Sequence, residues 1–395
     1  MALRLIYMDH AATTPVHPSV VEAMLPYLTE QYGNPSSVHT LGRGALAALD
    51  EARRTVAGVL GCTPREIVFT GGGSEADNLA LRGAAFAARE KGRGSHIITS
   101  AVEHHAVLHT VEQLERHFGF EATILPVDAT GRVSVADVAA ALRPDTVLVS
   151  IMLANNEIGT LQPVADIARL VRAHGALMHT DAVQAGGMLD ISVQALGVDM
   201  LTLAAHKFYG PKGVGILYVR QGTPLLPEIT GGSQERNRRA GTENITGIVG
   251  AAAALQWSQA QRAEEAPRLT RLRDRLIADV LAAVPGTVLT GHPTERLPGL
   301  ASFAIDGLSG AEELLLGLDL AGICASSGSA CTSASLEPSY VLRACGLPSA
   351  LAVGSLRLSL GHANTDADVD AVLTTLPPLV ERLRALARLM QGVGD

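Results

Sequence analysis

Residues 199–215 read DMLTLAAHKFYGPKGVG. An apolar run from Met200 to Ala205 stops at His206-Lys207 and breaks into glycine and proline turns, the pattern of a buried strand running out into a loop. The chain holds only three lysines, Lys91, Lys207 and Lys212, and arginine supplies nearly all its other positive charge. Lysine kept here, in a chain that otherwise prefers arginine, suggests a role arginine cannot fill: an amine able to lose its proton and form a Schiff base. The ordinary alternative is a strand that ends in a solvated lysine.

Working outward, short apolar or β-branched runs recur at EIVF (66–69), HIIT (96–99), ATILPV (122–127), TVLVSIML (146–153), ALMHT (176–180), MLTLA (200–204) and VGILYV (214–219). Helical segments or turns separate them. Near-continuous apolar strands alternating with helices predict an α/β fold with a mostly parallel sheet covered on both faces. Ligands of such sheets collect outside the carboxyl ends of strands. The polar oddities of this chain sit there: Gly71–Asn78, Glu103-His104-His105, Asn155-Asn156-Glu157, Asp181–Gln184 and His206-Lys207. Before the first strand the spacing predicts helices over Ser19–Tyr32 and Gly44–Leu60. After the last it predicts an Ala-rich helix and a separate one over Arg268–Val284.

A chain of 395 residues exceeds the usual single core, so two domains are expected. The charged stretch Gln259–Arg268 places the boundary near residue 260. Residues 15–260 then form a large domain, and residues 1–14 and 261–395 a smaller αβ domain. A hydrophobic content of 47% against 18% charged describes a well-buried globule. The net charge of −8, without a long basic run, argues against nucleic acid or an anionic membrane as partner. No secretory signal and no apolar stretch long enough to cross a bilayer are seen. Four cysteines in so long a chain read as free thiols of a cytoplasmic protein.

Thr70-Gly71-Gly72-Gly73-Ser74-Glu75 follows a strand and opens a helix, a candidate phosphate cradle that matches neither the P-loop nor the dinucleotide fingerprint. Asp181 ends an apolar strand and must be paired; a protonated pyridine nitrogen or a helix N-terminus would each serve. His104 would stack on a flat cofactor or shuttle protons, or sit in a turn. Arg357 alternates with apolar residues on a strand and needs a carboxylate, from a substrate or from an internal salt bridge. Cys331 lies in a run of small polar residues, Ser326–Ser335, with little to pack against, and is a candidate nucleophile on a mobile tether.

Together these stretches resemble the cysteine desulfurases of the NifS/IscS type, within the class V aminotransferase group of pyridoxal-phosphate enzymes. The likeness runs from Asp9–Thr14 to Ser355–Gly361 and implies the PLP-dependent transferase fold type I, with a seven-stranded sheet in the large domain. It implies that Lys207 is the Schiff-base lysine and that Gly73, Ser74 and His206 contact the phosphate or cofactor. Thr242 would reach the phosphate of a neighbouring subunit, hence a homodimer. Asn156 and Gln184 match ring contacts, Asp181 the partner of the ring nitrogen and His104 the stacking histidine. Arg357 and Asn34 match binders of the substrate carboxylate, and Cys331 the sulfur acceptor. The implied activity converts L-cysteine to alanine and a persulfide on Cys331, whose sulfur passes to an acceptor such as an iron–sulfur scaffold; no metal is implied. A selenocysteine lyase, an aminotransferase or a non-catalytic partner-binding homologue are the rival readings. One departure stands out: Ala204 replaces a family serine, removing a phosphate hydroxyl at a cost of about 1 kcal/mol unless Thr202 or water substitutes.

Overall fold

The computed structural model describes residues 4–328 and 338–392. Its strands are β1 (Ile6–Tyr7), β2 (Ile67–Thr70), β3 (His96–Ser100), β4 (Glu121–Leu125), β5 (Thr146–Ser150), β6 (Leu177–Asp181), β7 (Met200–Ala204), β8 (Gly215–Val219), β9 (Thr287–Leu289), β10 (Leu300–Ile305), β11 (Ile323–Cys324) and β12 (Ser355–Ser359). All seven apolar runs fall in one seven-stranded sheet of order β2-β8-β7-β6-β5-β3-β4. β8 runs antiparallel to both its neighbours, β2 and β7. The other pairings are parallel. The carboxyl ends of β2, β3, β5, β6 and β7 therefore open on the same edge.

Strand periodicity decides which helices cover which face. Val68, Ile97, Leu148, Met200 and Leu217 join one apolar cluster with Leu79, Ala80 and Ala84 of the Gly73–Glu90 helix. Ile67, Phe69, Ile98, Val149, Met178, Leu201, Leu203 and Ile216 point the other way, onto Leu49 and Val56 of the Thr40–Leu60 helix and Ile248 and Leu255. Each fully buried Leu or Ile side chain here stabilises by roughly 1.5–3 kcal/mol. A second sheet, β9-β10-β12, is antiparallel, with Ser302 opposite Arg357 and Phe303 opposite Leu356. Phe303, Leu356 and Leu358 pack with Leu269, Leu272, Leu276, Val369 and Val372 in a further cluster, which Ile6 and Met8 also join.

Two expectations about helices fail. The Ser19–Tyr32 helix is two shorter ones, Pro18–Met24 and Pro26–Thr29, because Pro26 cannot donate the hydrogen bond that would continue the first. The two helices expected around residues 259–268 are one, Ile245–Ala283, with Pro267 inside it. Its first half is held by Ile248, Ala251 and Leu255 in one cluster and its second by Leu269, Leu272 and Leu276 in the other. Tertiary packing at both ends carries the helix through a polar stretch that local propensity alone would interrupt.

Candidate active site

The strand that ends at Ala204 turns at once into a single 3₁₀ turn, Ala205–Lys207. The chain then reverses through Tyr209, a bulky residue at φ 67°. Such a conformation costs roughly 1–3 kcal/mol and persists only where its surroundings over-determine it. The surroundings do so: the Tyr209 N–H donates to Thr14 Oγ1 at 2.7 Å and its hydroxyl accepts from the His362 N–H at 2.8 Å. This turn delivers Lys207 into a pocket of about 360 Å³ at the carboxyl edge of the large sheet. The Lys207 Nζ donates to the carbonyls of Ala11 and Ala12, at 2.6 and 2.7 Å.

Gly73, Ser74, His104, Asn156, Asp181, Gln184, His206, Lys207 and Arg357 all line that pocket. Gly73 and Ser74 open the Gly73–Glu90 helix, whose unpaired N–H groups and dipole favour an anion. A Cβ on Gly73 would lie 3.1 Å from Val183 Cγ2 and 3.2 Å from Ala204 Cβ, so glycine keeps this end of the pocket open. His104 is also the N-cap of the His105–Phe118 helix, its Nδ1 accepting from Ala106 N–H at 3.1 Å. His206 Nδ1 lies 3.2 Å from Thr13 Oγ1, and burial with the neighbouring Lys207 and Lys212 pulls its pKa down to about 4. Gln184 Nε2 donates to Ala11 O at 3.0 Å.

Asp181 is buried and its Oδ1 accepts from Val183 N–H at 2.9 Å. Burial raises its pKa, with His104 and Lys207 pulling the other way. The sequence pattern missed Asp77, four residues after Gly73 and so one helical turn on, facing the same pocket. Asp77 is 1% exposed, and its Oδ1 has no hydrogen-bond partner. Burial, then the charge of Asp181, drives its pKa well up, as two adjacent buried carboxylates resist ionising together. Ligand atoms of Asp77, His104 and Asp181 lie within 4.8 Å of one another. Beneath them, Thr202 Oγ1 is 3.1 Å from His179 Nε2 and also bonds Asp77. His179 is held neutral, its pKa driven by burial to about 3.

Arg357 is 2% exposed and paired internally: its Nη2 donates to Asp9 Oδ1 at 2.9 Å. Its Nη1 donates to the carbonyls of Asn156 at 2.8 Å and Gly328 at 3.3 Å. Asp9 belongs to the resembling stretch, but nothing in its sequence context marked it as the partner of this arginine. In the sequence Glu103, one residue before His104, reads only as part of a polar trio. It is fully buried, accepting from Ser100 Oγ at 2.6 Å and Met152 N–H at 3.0 Å, and burial raises its pKa to about 8.

Two expected residues do not line the pocket. Thr242 is exposed on the 234–244 segment, which Arg53 anchors bidentately through Glu235 at 2.7 Å and Arg239 through Glu75 at 2.9 Å. Asn34 is exposed, its side chain capping its own turn by accepting from Ser36 N–H at 2.9 Å. Cys331 lies outside the described residues. The arrangement therefore offers a lysine amine, a buried carboxylate and an imidazole, with an anion cradle at one side and a guanidinium at another.

Comparison with known proteins gives a consistent picture. The profile of the aminotransferase class-V family matches residues 6–372. A cysteine desulfurase IscS of Methanosarcina thermophila is 52% identical over 384 residues, covering 97% of this chain and 94% of that protein. One from Dictyoglomus turgidum is 48% identical over 388 residues, 98% of each. Among solved structures, a NifS-like protein superposes with a TM-score of 0.89 at 38% identity, covering 96% of this chain and all of that one. A structure described as SspA in complex with cysteine gives a TM-score of 0.79 at 38% identity, covering 90% of this chain and 98% of that one.

Proposed function

The chain belongs to the aminotransferase class-V family and is a cysteine desulfurase, and from that premise we propose that it works on L-cysteine with pyridoxal 5′-phosphate held on Lys207 and sulfur received by Cys331. One observation carries the assignment of the site: the Lys207 amine, the buried Asp181 carboxylate, the Gly73 helix N-terminus and Arg357 meet in one pocket of about 360 Å³. The pocket suits the cofactor physically. The cradle that a Cβ at Gly73 would crowd adjoins helix N–H groups fit for a phosphate. Asn156 Oδ1 is buried without a hydrogen-bond partner.

In this proposal Gly73, Ser74 and His206 hold the phosphate, His104 and Gln184 the ring, and Asp181 keeps the ring nitrogen protonated. When bound, the cofactor supplies an electron sink for the substrate Cα. Arg357 fixes the substrate carboxylate. The Lys207 amine removes the Cα proton, and the Ala11 and Ala12 carbonyls orient the resulting ammonium. His104 moves a proton on the sulfur side. The Cys331 thiolate then attacks the substrate sulfur; the new S–S bond forms as the C–S bond breaks, and alanine leaves after protonation. Thr242, exposed and away from its own pocket, would serve the pocket of a second copy in a homodimer. Residues 15–260 would form the large domain and residues 1–14 with 261–395 the smaller; the separate seven-stranded and β9-β10-β12 sheets, each with its own apolar cluster, and the parallel β1-β11 pair, which joins residues 6–7 to 323–324, support that division. The proposed setting is the cytoplasm, with an iron–sulfur scaffold or similar thiol as acceptor; no described helix is long and apolar enough to cross a membrane.

The test is Cys331→Ser. Cofactor absorbance should survive while sulfide production from L-cysteine collapses. Full retained activity rejects Cys331 as the acceptor.

A further inference from the structure

Arg357 enters the pocket with its charge already answered. On β12, Leu356 and Leu358 face the apolar cluster, so Ser355, Arg357 and Ser359 face the opposite side. There they meet the strap Asp9–Thr14. Ala11 N–H donates to Ser359 Oγ at 2.9 Å, and Ser359 N–H to Met8 O at 2.7 Å. Asp9 is fixed within the strap, its carbonyl accepting from Ala12 N–H at 3.0 Å and from the Tyr7 hydroxyl at 3.1 Å. Its carboxylate meets Nη2 of Arg357 at 2.9 Å while the two bonds of Nη1 go to neutral carbonyls. Asp9 is thus the only carboxylate on this guanidinium among the described residues. Arg357 and Ala11 line the pocket, and Asp9 stands outside that lining.

We propose that Asp9 is a positioning residue that sets how tightly the Arg357 subsite takes an α-carboxylate, by holding the guanidinium fork in place and offsetting its charge. The inference rests on the reading of Arg357 as the substrate-carboxylate binder. A substrate carboxylate arriving from the pocket meets an arginine that already carries a counter-ion on its outer side. It is therefore oriented by the donors that the internal bonds leave over, Nε and the second hydrogen of Nη2, but attracted less than by a lone cation. Such a subsite admits an amino acid and releases the product, which carries the same carboxylate. The strap that holds Asp9 also supplies the two carbonyls bonded to Lys207, so one segment sets the position of both the amine and the arginine.

The charge and the geometry separate in two variants. Asp9→Asn keeps an oxygen acceptor for Nη2 and removes the charge; Asp9→Ala removes both. With cofactor-loaded enzyme, propionate is used as a competitive inhibitor against L-cysteine, and thermal unfolding is followed for each variant. Asp9→Asn should lower both the propionate Ki and the KM for L-cysteine about five- to tenfold, the effect of removing one partly screened like charge, with kcat within about twofold. Asp9→Ala should raise both constants, because the fork is no longer held. If Asp9→Asn folds and leaves the propionate Ki unchanged or raises it, the proposal is overturned. Arg357→Gln separates this from failure of the underlying reading: if it leaves the propionate Ki and KM unchanged, Arg357 does not bind the carboxylate at all.

Discussion

The resemblance to the cysteine desulfurases implies a serine hydroxyl where this chain has Ala204, and Ala204→Ser would supply it. Residues 202 and 204 share one face of β7, but they are a full pleat apart, and Thr202 cannot stand in for the missing group. Its hydroxyl is 0% exposed and committed to His179 Nε2 at 3.1 Å and to Asp77. The side chain at 204, by contrast, lines the pocket beside Gly73. Because Gly73 has no Cβ, a serine Oγ at 204 finds room next to the helix N-terminus. A net hydrogen bond is worth about 1 kcal/mol with a neutral acceptor and about 1.5–3 kcal/mol with a charged one. Allowing for the rotamer fixed, Ala204→Ser should tighten pyridoxal phosphate by about 1–2 kcal/mol, roughly five- to thirtyfold in Kd. The assay is titration of cofactor-stripped protein with pyridoxal phosphate, followed by absorbance, at equal melting temperature of the two stripped proteins. An unchanged or weaker Kd would refute the placement of the phosphate at Gly73 and Ala204.

Other outcomes follow from the buried charges. Glu103 has its pKa raised from 4.5 to about 8 by burial. The unfolded chain therefore releases this proton above about pH 4.5 while the folded protein keeps it. The contribution of Glu103 to stability is fully present below that pH and declines as pH rises towards 8, by on the order of 4 kcal/mol. Glu103→Gln should flatten the fall in urea stability between pH 5 and pH 8; slopes identical to the parent would contradict it. Glu235→Gln breaks a bidentate pair with Arg53 whose side chains are 5% and 2% exposed. Removing one partner of a buried pair costs about 3–5 kcal/mol. The pair also braces three consecutive left-handed residues, Glu235, Arg236 and Asn237. Urea unfolding should show that loss, with faster proteolysis of the segment bearing Thr242; a loss under about 1 kcal/mol would refute the bracing.

The large sheet was legible because strands buried on both faces write themselves as unbroken Val, Ile and Leu runs, and each of the seven runs became a strand of one sheet. The ends of those runs likewise exposed Asp181, His104 and Lys207, since a polar group at the end of an apolar strand needs a reason. Helix boundaries were less legible. The charged residues 259–268 read as a break, yet the helix continues because its halves are buried in different clusters. Asp77 stayed hidden because one carboxylate in a helix looks like a solvated face until the sheet beneath is known. Asp9 stayed hidden for another reason: its partner Arg357 lies 348 residues away in sequence, and no local pattern reports such a pairing.

The central claim is that one lysine of three carries the cofactor. Borohydride reduction of the cofactor-loaded protein, followed by proteolysis and mass mapping, tests it directly. The account predicts the reduced pyridoxyl group on Lys207, with Lys91 and Lys212 unmodified. The label on either of those two, or on no lysine while cofactor absorbance is present, would contradict it.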